Sequence, residues 1–362
     1  MTADGSGSSG GLLAPVWAGT RAEAITADAA WLRAMLEAEA ALARAQGRLG
    51  LIPSEAAAAI DRTAGALVLD PADLAKRARQ SANPVVPLVS DLRRAIPGAA
   101  DSVHRGATSQ DILDSAAMLV ATRAVRAIVG ELSAVMRDLS ELAERHRDTV
   151  MAARTLGQQA VPTTFGLKAA GWLTGLMRAR ARLRELRLPA QLGGAAGTLA
   201  AFAEHLPAGQ ATALSLVELF AEEIGLSAPL APWHAERSPV TELGAALVGT
   251  ARALGKPATD IVLMAQTEVG EVAESSAGGS SAMPQKRNPA LSVLIRSAAL
   301  QVPAYAQVLG QIGEHERPRA RGRRSGCPCA RRCASRAARP RPPPSWCPAS
   351  RSSPTGCAPT PS

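Results

Sequence analysis

Ile128-Val-Gly-Glu-Leu132-Ser-Ala-Val135-Met-Arg-Asp-Leu139-Ser-Glu-Leu142 repeats its apolar side chains at spacings of four, three, four and three. That seam puts one apolar stripe on one helix face, the mark of helices lying nearly parallel or antiparallel in a bundle. Ile112, Ala116 and Leu119 carry the pattern upstream and predict one helix over 108–148. Working outward, Phe165, Ala169, Trp172, Leu176, Ala179, Leu183 and Leu186 predict a second helix over 162–187. Leu243, Leu247, Leu254 and Ile261 predict a third over 239–274, kinked at Pro257, and a fourth runs over 289–312. Ahead of these, residues 20–50 read as a helix with Trp31, Met35 and Leu42 on one side. Two shorter helices follow, begun by Ser54 and by Asp70-Pro71, both good starts. Runs of alternating β-branched residues are nearly absent, so the fold class is all-α: a long-helix bundle fed by a small N-terminal helical domain.

The chain has 362 residues, 47% of them hydrophobic but only 2% aromatic, so Ala, Leu and Val must fill the core. Its formal charge of +9 would ordinarily suggest nucleic acid or an acidic membrane. Residues 317–362, however, hold eleven Arg, no Lys and no acid, which leaves the body with 29 basic against 31 acidic side chains. The same stretch holds all five cysteines, Cys327, Cys329, Cys333, Cys347 and Cys357, in spacings that fit no zinc site. A cysteine-free body needs no disulfides. With no secretory signal and no apolar run of about 18 residues, a cytoplasmic enzyme with no membrane partner is expected.

Three loops carry chemistry. Gly278-Gly-Ser-Ser-Ala-Met-Pro-Gln-Lys-Arg-Asn-Pro289 lies between the third and fourth long helices. Its glycines allow a lid to bend, Ser280 and Ser281 supply hydroxyls, and Lys286 and Asn288 are donors suited to a carboxylate. Pro289 then opens a helix whose free N–H groups favour an anion. His104-Arg-Gly-Ala-Thr-Ser-Gln-Asp-Ile-Leu-Asp114 opens the first long helix, placing Thr108 and Ser109 at a helix N-terminus beside His104. The third stretch, Arg154-Thr-Leu-Gly-Gln-Gln-Ala-Val-Pro-Thr-Thr164, leads into the second long helix.

The 278–289 segment resembles the G-S-S-x-M-P-x-K-x-N-P signature of the fumarase/aspartase superfamily at every fixed position from Gly279 to Pro289. The 104–114 segment resembles that family's H-x-G-x-T-S-x-D-x-x-D-T block, with Ser115 for the usual Thr. The resemblance extends over residues 11–316 and includes Asn83 to Val89, Gly193-Gly-Ala-Ala-Gly-Thr198 and Pro232-Trp-His-Ala-Glu-Arg237. It implies that Ser280 exchanges a proton on the carbon beside a substrate carboxylate, with His104 as donor or proton carrier; Lys286, the nearest candidate in sequence, is expected to lower the Ser280 pKa. Substrate contacts are expected from Thr108, Ser109, Arg154, Thr155, Gln158, Ser281, Met283 and Asn288, and Arg237 would fork an extra carboxylate. No metal or cofactor is implied. The partners are a di- or tricarboxylate substrate and, as the family suggests, a homotetramer whose sites draw loops from three subunits.

Where amine-releasing members of the family, the adenylosuccinate lyases, carry R-T-H-G, this chain has Leu156. It has Asn83-Pro84 where a His-Asp pair aligns. An amine cannot leave without a proton donor, whereas a carboxylate can. The loss therefore points to the branch that adds a carboxylate across a double bond, closing the lactone of 3-carboxy-cis,cis-muconate. An adenylosuccinate-lyase-like eliminase and a non-catalytic helical remnant are the rival readings. The expected organisation is a disordered 1–10, an N-terminal helical domain 11–106, and a bundle 107–316 carrying the signature loop 275–289. The family's C-terminal domain is expected to be missing. In its place stands a disordered tail, 317–362, whose Arg-Pro-Arg-Pro-Pro-Pro at 339–344 reads like GC-rich coding sequence in another frame and implies no specific nucleic acid.

Overall fold

The computed structural model describes residues 13–206, 212–275 and 278–311; the expectations for residues 1–10, 312–316 and the tail lie outside them. In chain order the helices are α1 (Arg21–Ile25), α2 (Asp28–Arg48), α3 (Ser54–Ala66), α4 (Pro71–Arg77), α5 (Val85–Ala95) and α6 (Ser109–Arg145). A hairpin of β1 (Val150–Thr155) and β2 (Gln158–Thr164) follows. The remaining helices are α7 (Phe165–Glu185), α8 (Ala200–His205), α9 (Ala213–Ile224), α10 (Ser238–Met264) and α11 (Ala290–Gly310).

The stretch expected as one helix over 20–50 is broken at Thr26, whose hydroxyl donates back to the Ala22 carbonyl at 2.8 Å and closes α1. α4 starts as expected, with Asp70 accepting from the Ala72 amide at 2.9 Å. α10 passes through Pro257 within one helix but stops at Met264, ten residues short of the expected Glu274.

The hairpin is the main departure from the expected pattern. Pro162, placed in a helix by its sequence, pairs with Ala152 across β1 and β2, and the helix begins only at Phe165, capped by Thr164. Leu156 (φ +50°) and Gly157 (φ +78°) turn the chain between the strands. Two successive left-handed residues suit the primed turns whose twist matches paired strands. Leu-Gly is a weak form of that signal, since left-handed backbone costs Leu about 1–2 kcal/mol.

The largest core joins α2, α3, α5 and the first turns of α6 to residues 190–202 and α9. Leu36, Leu42, Ile60, Leu88, Leu92, Ile112, Phe202 and Phe220 are all fully buried in it. A second core, of Leu132, Leu176, Leu183 and Ala246, joins α6, α7 and α10. α7 turns back along α6 at Gly166, whose amide donates to the His146 carbonyl at 2.9 Å. A Cβ there would lie 2.5 Å from the Ala143 oxygen and 2.7 Å from the Arg147 Cα, both backbone atoms with little room to yield. Gly166→Ala is therefore expected to destabilise the protein by about 1–3 kcal/mol, read as a lowered midpoint of urea unfolding.

Gly255 against Ala299 and Gly244 against Ala306 let α10 and α11 pack closely and antiparallel. Of the 21 residues of α11 only Ser292 is buried, while Leu291, Val293, Ile295 and Leu300 are exposed. Among the described residues no helix is long and apolar enough to cross a membrane.

Candidate active site

Asp111 organises one end of the bundle. It is completely buried in the first turn of α6. Its Oδ2 accepts from the Thr108 and Gly194 amides at 2.9 and 3.0 Å. Its Oδ1 accepts from the Gly193 amide at 2.9 Å and meets His234 Nε2 at 2.7 Å. One carboxylate thus draws together the 104–115, 193–198 and 232–237 segments. Gly193 is required by proximity, because a Cβ would come within 2.8 Å of both His234 and Pro232. Ser115, in the position of the family's usual Thr, bridges both backbone groups of Gln191 at 3.0 and 2.9 Å.

His104 sits in the same cluster as the half-buried Thr108 and Ser109. Its Nδ1 lies 2.6 Å from Oε1 of the buried Glu39. Burial, the largest influence, works to lower the His104 pKa. The charge and hydrogen bond of Glu39, with the charge of Asp111, outweigh it and raise the pKa above the ordinary histidine value; Arg93 opposes them weakly.

Arg237, expected to fork a substrate carboxylate, already grips an internal one. Only 3% exposed, it is gripped by Asp114 through two bonds of 2.6 and 2.9 Å, with its guanidinium 4.8 Å above the Trp233 ring. The fork is closed by the chain's own carboxylate, and Arg237 ties the start of α10 to the start of α6.

The signature loop lies at the other end. Gly278 and Asn288 close it with paired backbone bonds of 2.9 and 3.0 Å, and one amide hydrogen of Asn288 goes to the Gly279 carbonyl at 3.3 Å. The Ser280 hydroxyl oxygen accepts from the Met283 amide at 3.1 Å and, more weakly, from Ala282 at 3.4 Å. Backbone N–H groups aimed at a hydroxyl oxygen favour its deprotonated form. Lys286, expected to act on Ser280, is exposed further along the loop with Ser281 and Met283.

The start of α11 does attract an anion, but the anion is internal. Glu274 accepts from the Leu291 and Ser292 amides at 3.1 and 2.8 Å and from the Ser292 hydroxyl at 2.6 Å. Burial acts to raise the Glu274 carboxyl, and these bonds outweigh it and hold it below the ordinary carboxylate range. Arg154, expected to meet substrate, instead forms a two-bond pair with Glu271 at 2.7 and 2.8 Å. That bond is the largest influence on Glu271 and keeps its carboxyl low. Thr155 and Gln158 flank the hairpin turn, and Leu156 projects fully exposed from its tip.

Among the described residues, the cluster around Asp111 and His104 lies at one end of the bundle, and the hairpin and signature loop lie at the other. Arg237–Asp114 fixes the first turns of α6 and α10 together, whereas Trp172 Nε1–Asp260 (2.8 Å) and the Arg154–Glu271 pair fix the hairpin and signature loop at the far end. α6 alone has 37 residues, about 55 Å of helix.

Glu39, Asp111, Asp114, Glu271 and Glu274 are the organising groups that the sequence reading did not single out. Asp111 and Asp114 stood inside a quoted motif, and Glu39 lies on the apolar stripe of α2 between Met35 and Leu42, where an acid needs a partner. Glu271 and Glu274 carried no such signal.

Long helices packed side by side, with polar motif loops at both ends, make up a helical bundle. A family model described as "Lyase" matches residues 14–304. The chain belongs to that family, within the fumarase/aspartase superfamily. It is 53% identical over 319 residues to nitrosuccinate lyase of Streptomyces davaonensis, covering 85% of this chain and 67% of the relative. It is 42% identical over 306 residues to 3-carboxy-cis,cis-muconate cycloisomerase of Pseudomonas aeruginosa, covering 81% and 65%. The crystal structure of 3-carboxy-cis,cis-muconate lactonizing enzyme from Pseudomonas putida superposes with a TM-score of 0.76 at 37% identity, over 88% of this chain and 73% of that one. The chain thus spans about two thirds of the length of the curated relatives.

Proposed function

We propose that this chain carries the active-site segments of a lyase that eliminates nitrite from nitrosuccinate to leave fumarate. The observation that carries the reading is Leu156, fully exposed at the tip of the hairpin where amine-releasing members place a histidine. A leaving group that departs without a proton donor must be a weak base. Nitrite, like a carboxylate, is a weak base that can leave without a proton, so nitrite elimination and lactone closure both fit the missing histidine. The 53% relative named nitrosuccinate lyase favours nitrite.

In this reading Ser280 takes a proton from the methylene carbon beside the distal carboxylate. The C–H electrons form the new double bond, and the C–N electrons leave with nitrite. The Met283 and Ala282 amides steady the negative charge on Ser280 Oγ. His104, Thr108 and Ser109 receive a substrate carboxylate, with Ser281, Met283, Lys286 and Asn288 closing over it. Because the two ends of the bundle are far apart, the working unit is a homotetramer in which loops of different copies converge, and the exposed apolar residues of α11 are buried there.

The second reading, cycloisomerisation of 3-carboxy-cis,cis-muconate, is favoured by relatives of that name at 41% and 42% identity. Purified protein assayed for nitrite and fumarate release from nitrosuccinate, and for loss of diene absorbance from carboxymuconate, separates the two. Nitrite release well above the muconate rate is expected. Muconate turnover alone would transfer the assignment to the cycloisomerase, and turnover of neither substrate by an assembled protein would leave the non-catalytic remnant.

A further inference from the structure

We infer that Glu39 is a positioning residue that keeps His104 in the charged form, so that His104 acts as a fixed cation for a substrate carboxylate and does not shuttle protons. The inference rests on the reading above only in taking a carboxylate as the group His104 meets.

Glu39 is 1% exposed and sits on the inward face of α2. Its Oε1 takes the Nδ1–H of His104 at 2.6 Å, while its Oε2 is buried with no hydrogen-bond partner among the described residues. A buried carboxylate with one partner is stabilised chiefly by that partner's charge, so deprotonating His104 would leave it nearly uncompensated. A neutral His104 would also have to hold its remaining proton on Nδ1 to keep the bond, leaving Nε2 without a hydrogen to donate. In the charged form both nitrogens donate.

The loop is built to hold this arrangement. His104 adopts φ +60°, a left-handed backbone that is strained for a non-glycine residue and common at working sites. It is pinned on both flanks: Arg93 donates to the Val103 carbonyl at 3.0 Å, and Gln46 Nε2 donates to the Arg105 carbonyl at 2.7 Å. The charged groups that influence His104 are Glu39 from α2, Asp111 from α6 and Arg93 from α5; Asp111 also holds His234. Two acids against one base favour the imidazolium, whose pairing is complete below the ordinary histidine range and lost as pH climbs through the raised value.

The test is a pair of measurements on the assembled protein. Isotope-labelled histidine is titrated by NMR, with His104 assigned among the five histidines by its loss in His104→Gln. The pH dependence of KM and kcat for nitrosuccinate is then compared between wild type and Glu39→Gln, which keeps the shape of the side chain and removes the charge. Wild-type His104 is expected to titrate above the ordinary range and to fall in the variant. KM at pH 7.5 should rise about tenfold, the size of one charge-assisted hydrogen bond, with kcat changed far less, and the alkaline rise of KM should move to lower pH. An ordinary or low titration of His104 in the wild type overturns the inference without any variant having to fold. So does a Glu39→Gln protein whose loss falls on kcat with the KM profile unmoved. A protein that turns over neither substrate while His104 still titrates high and responds to Glu39→Gln would defeat the proposed reaction and leave the control of His104 by Glu39 intact.

Discussion

Alanine at position 280 will leave the protein assembled and lower nitrite release by about 10² to 10⁴-fold, the usual contribution of a positioned general base. The expectation comes from the loop's internal bonding. Gly278 and Asn288 close the loop through their backbones, and Asn288 Nδ2 ties to the Gly279 carbonyl, so the closing bonds of the loop do not involve the Ser280 side chain. What Ser280 adds is an oxygen that accepts the Met283 and Ala282 amides and is ready to carry charge. Removing it frees two exposed N–H groups that water can satisfy, so little stability is lost and the loss falls on kcat. Steady-state kinetics with a deuterated substrate methylene is the direct check. The isotope effect in wild type should appear on kcat/KM, and a Ser280→Ala protein of native oligomeric size with near-native turnover would remove Ser280 from the proton-transfer step.

The bundle was legible because a period of three and four residues, sustained over α6 and α7, has few other structural solutions. The hairpin was not. Its turn is Leu156-Gly157, its second strand contains Pro162, and its exposed residues alternate no apolar face. Tertiary pairing against β1 overrode a local pattern that ran on smoothly into α7. The position of Ser280 in a Gly-bounded loop was likewise visible in the signature, as was the grouping of His104 with Thr108 and Ser109. Partners were harder to read. Arg154 and Arg237 are the residue types that bind carboxylates, and both do, but the carboxylates belong to Glu271 and Asp114. Sequence spacing cannot reveal a partner 117 or 123 residues away. The start of α11 shows the same pattern, since the anion that its helix dipole attracts is Glu274. In each case the residue type points to a carboxylate and the folded chain supplies one of its own, which sequence spacing does not reveal.

The second large effect is expected at one of these internal pairs. Asp114→Ala should cost about 3–5 kcal/mol, the penalty for stripping the partner from a buried charge, out of a total that for most domains is roughly 5–15 kcal/mol. The side chains of Arg237 and Asp114 are 2% and 1% exposed, so solvent cannot take over for the missing carboxylate. The Trp233 ring 4.8 Å away and the Trp233 carbonyl at 3.4 Å are neutral partners and do not replace the charge of the carboxylate. A substrate fork would behave differently: Arg237→Lys would then weaken substrate binding and leave the thermal midpoint unchanged. The pairing geometry predicts the reverse order of effects, with Arg237→Lys lowering the midpoint because a lysine cannot reproduce the two-bond grip. Replacing both partners by apolar residues of similar size, Asp114→Leu with Arg237→Met, should recover much of the stability lost in Asp114→Ala, since it removes the stranded charge. Denaturant midpoints of the three proteins decide the matter. A stable Asp114→Ala protein with impaired substrate binding would return Arg237 to the substrate. An unstable Asp114→Ala protein, rescued by the double replacement, would establish the pair as the clamp that sets α10 on α6.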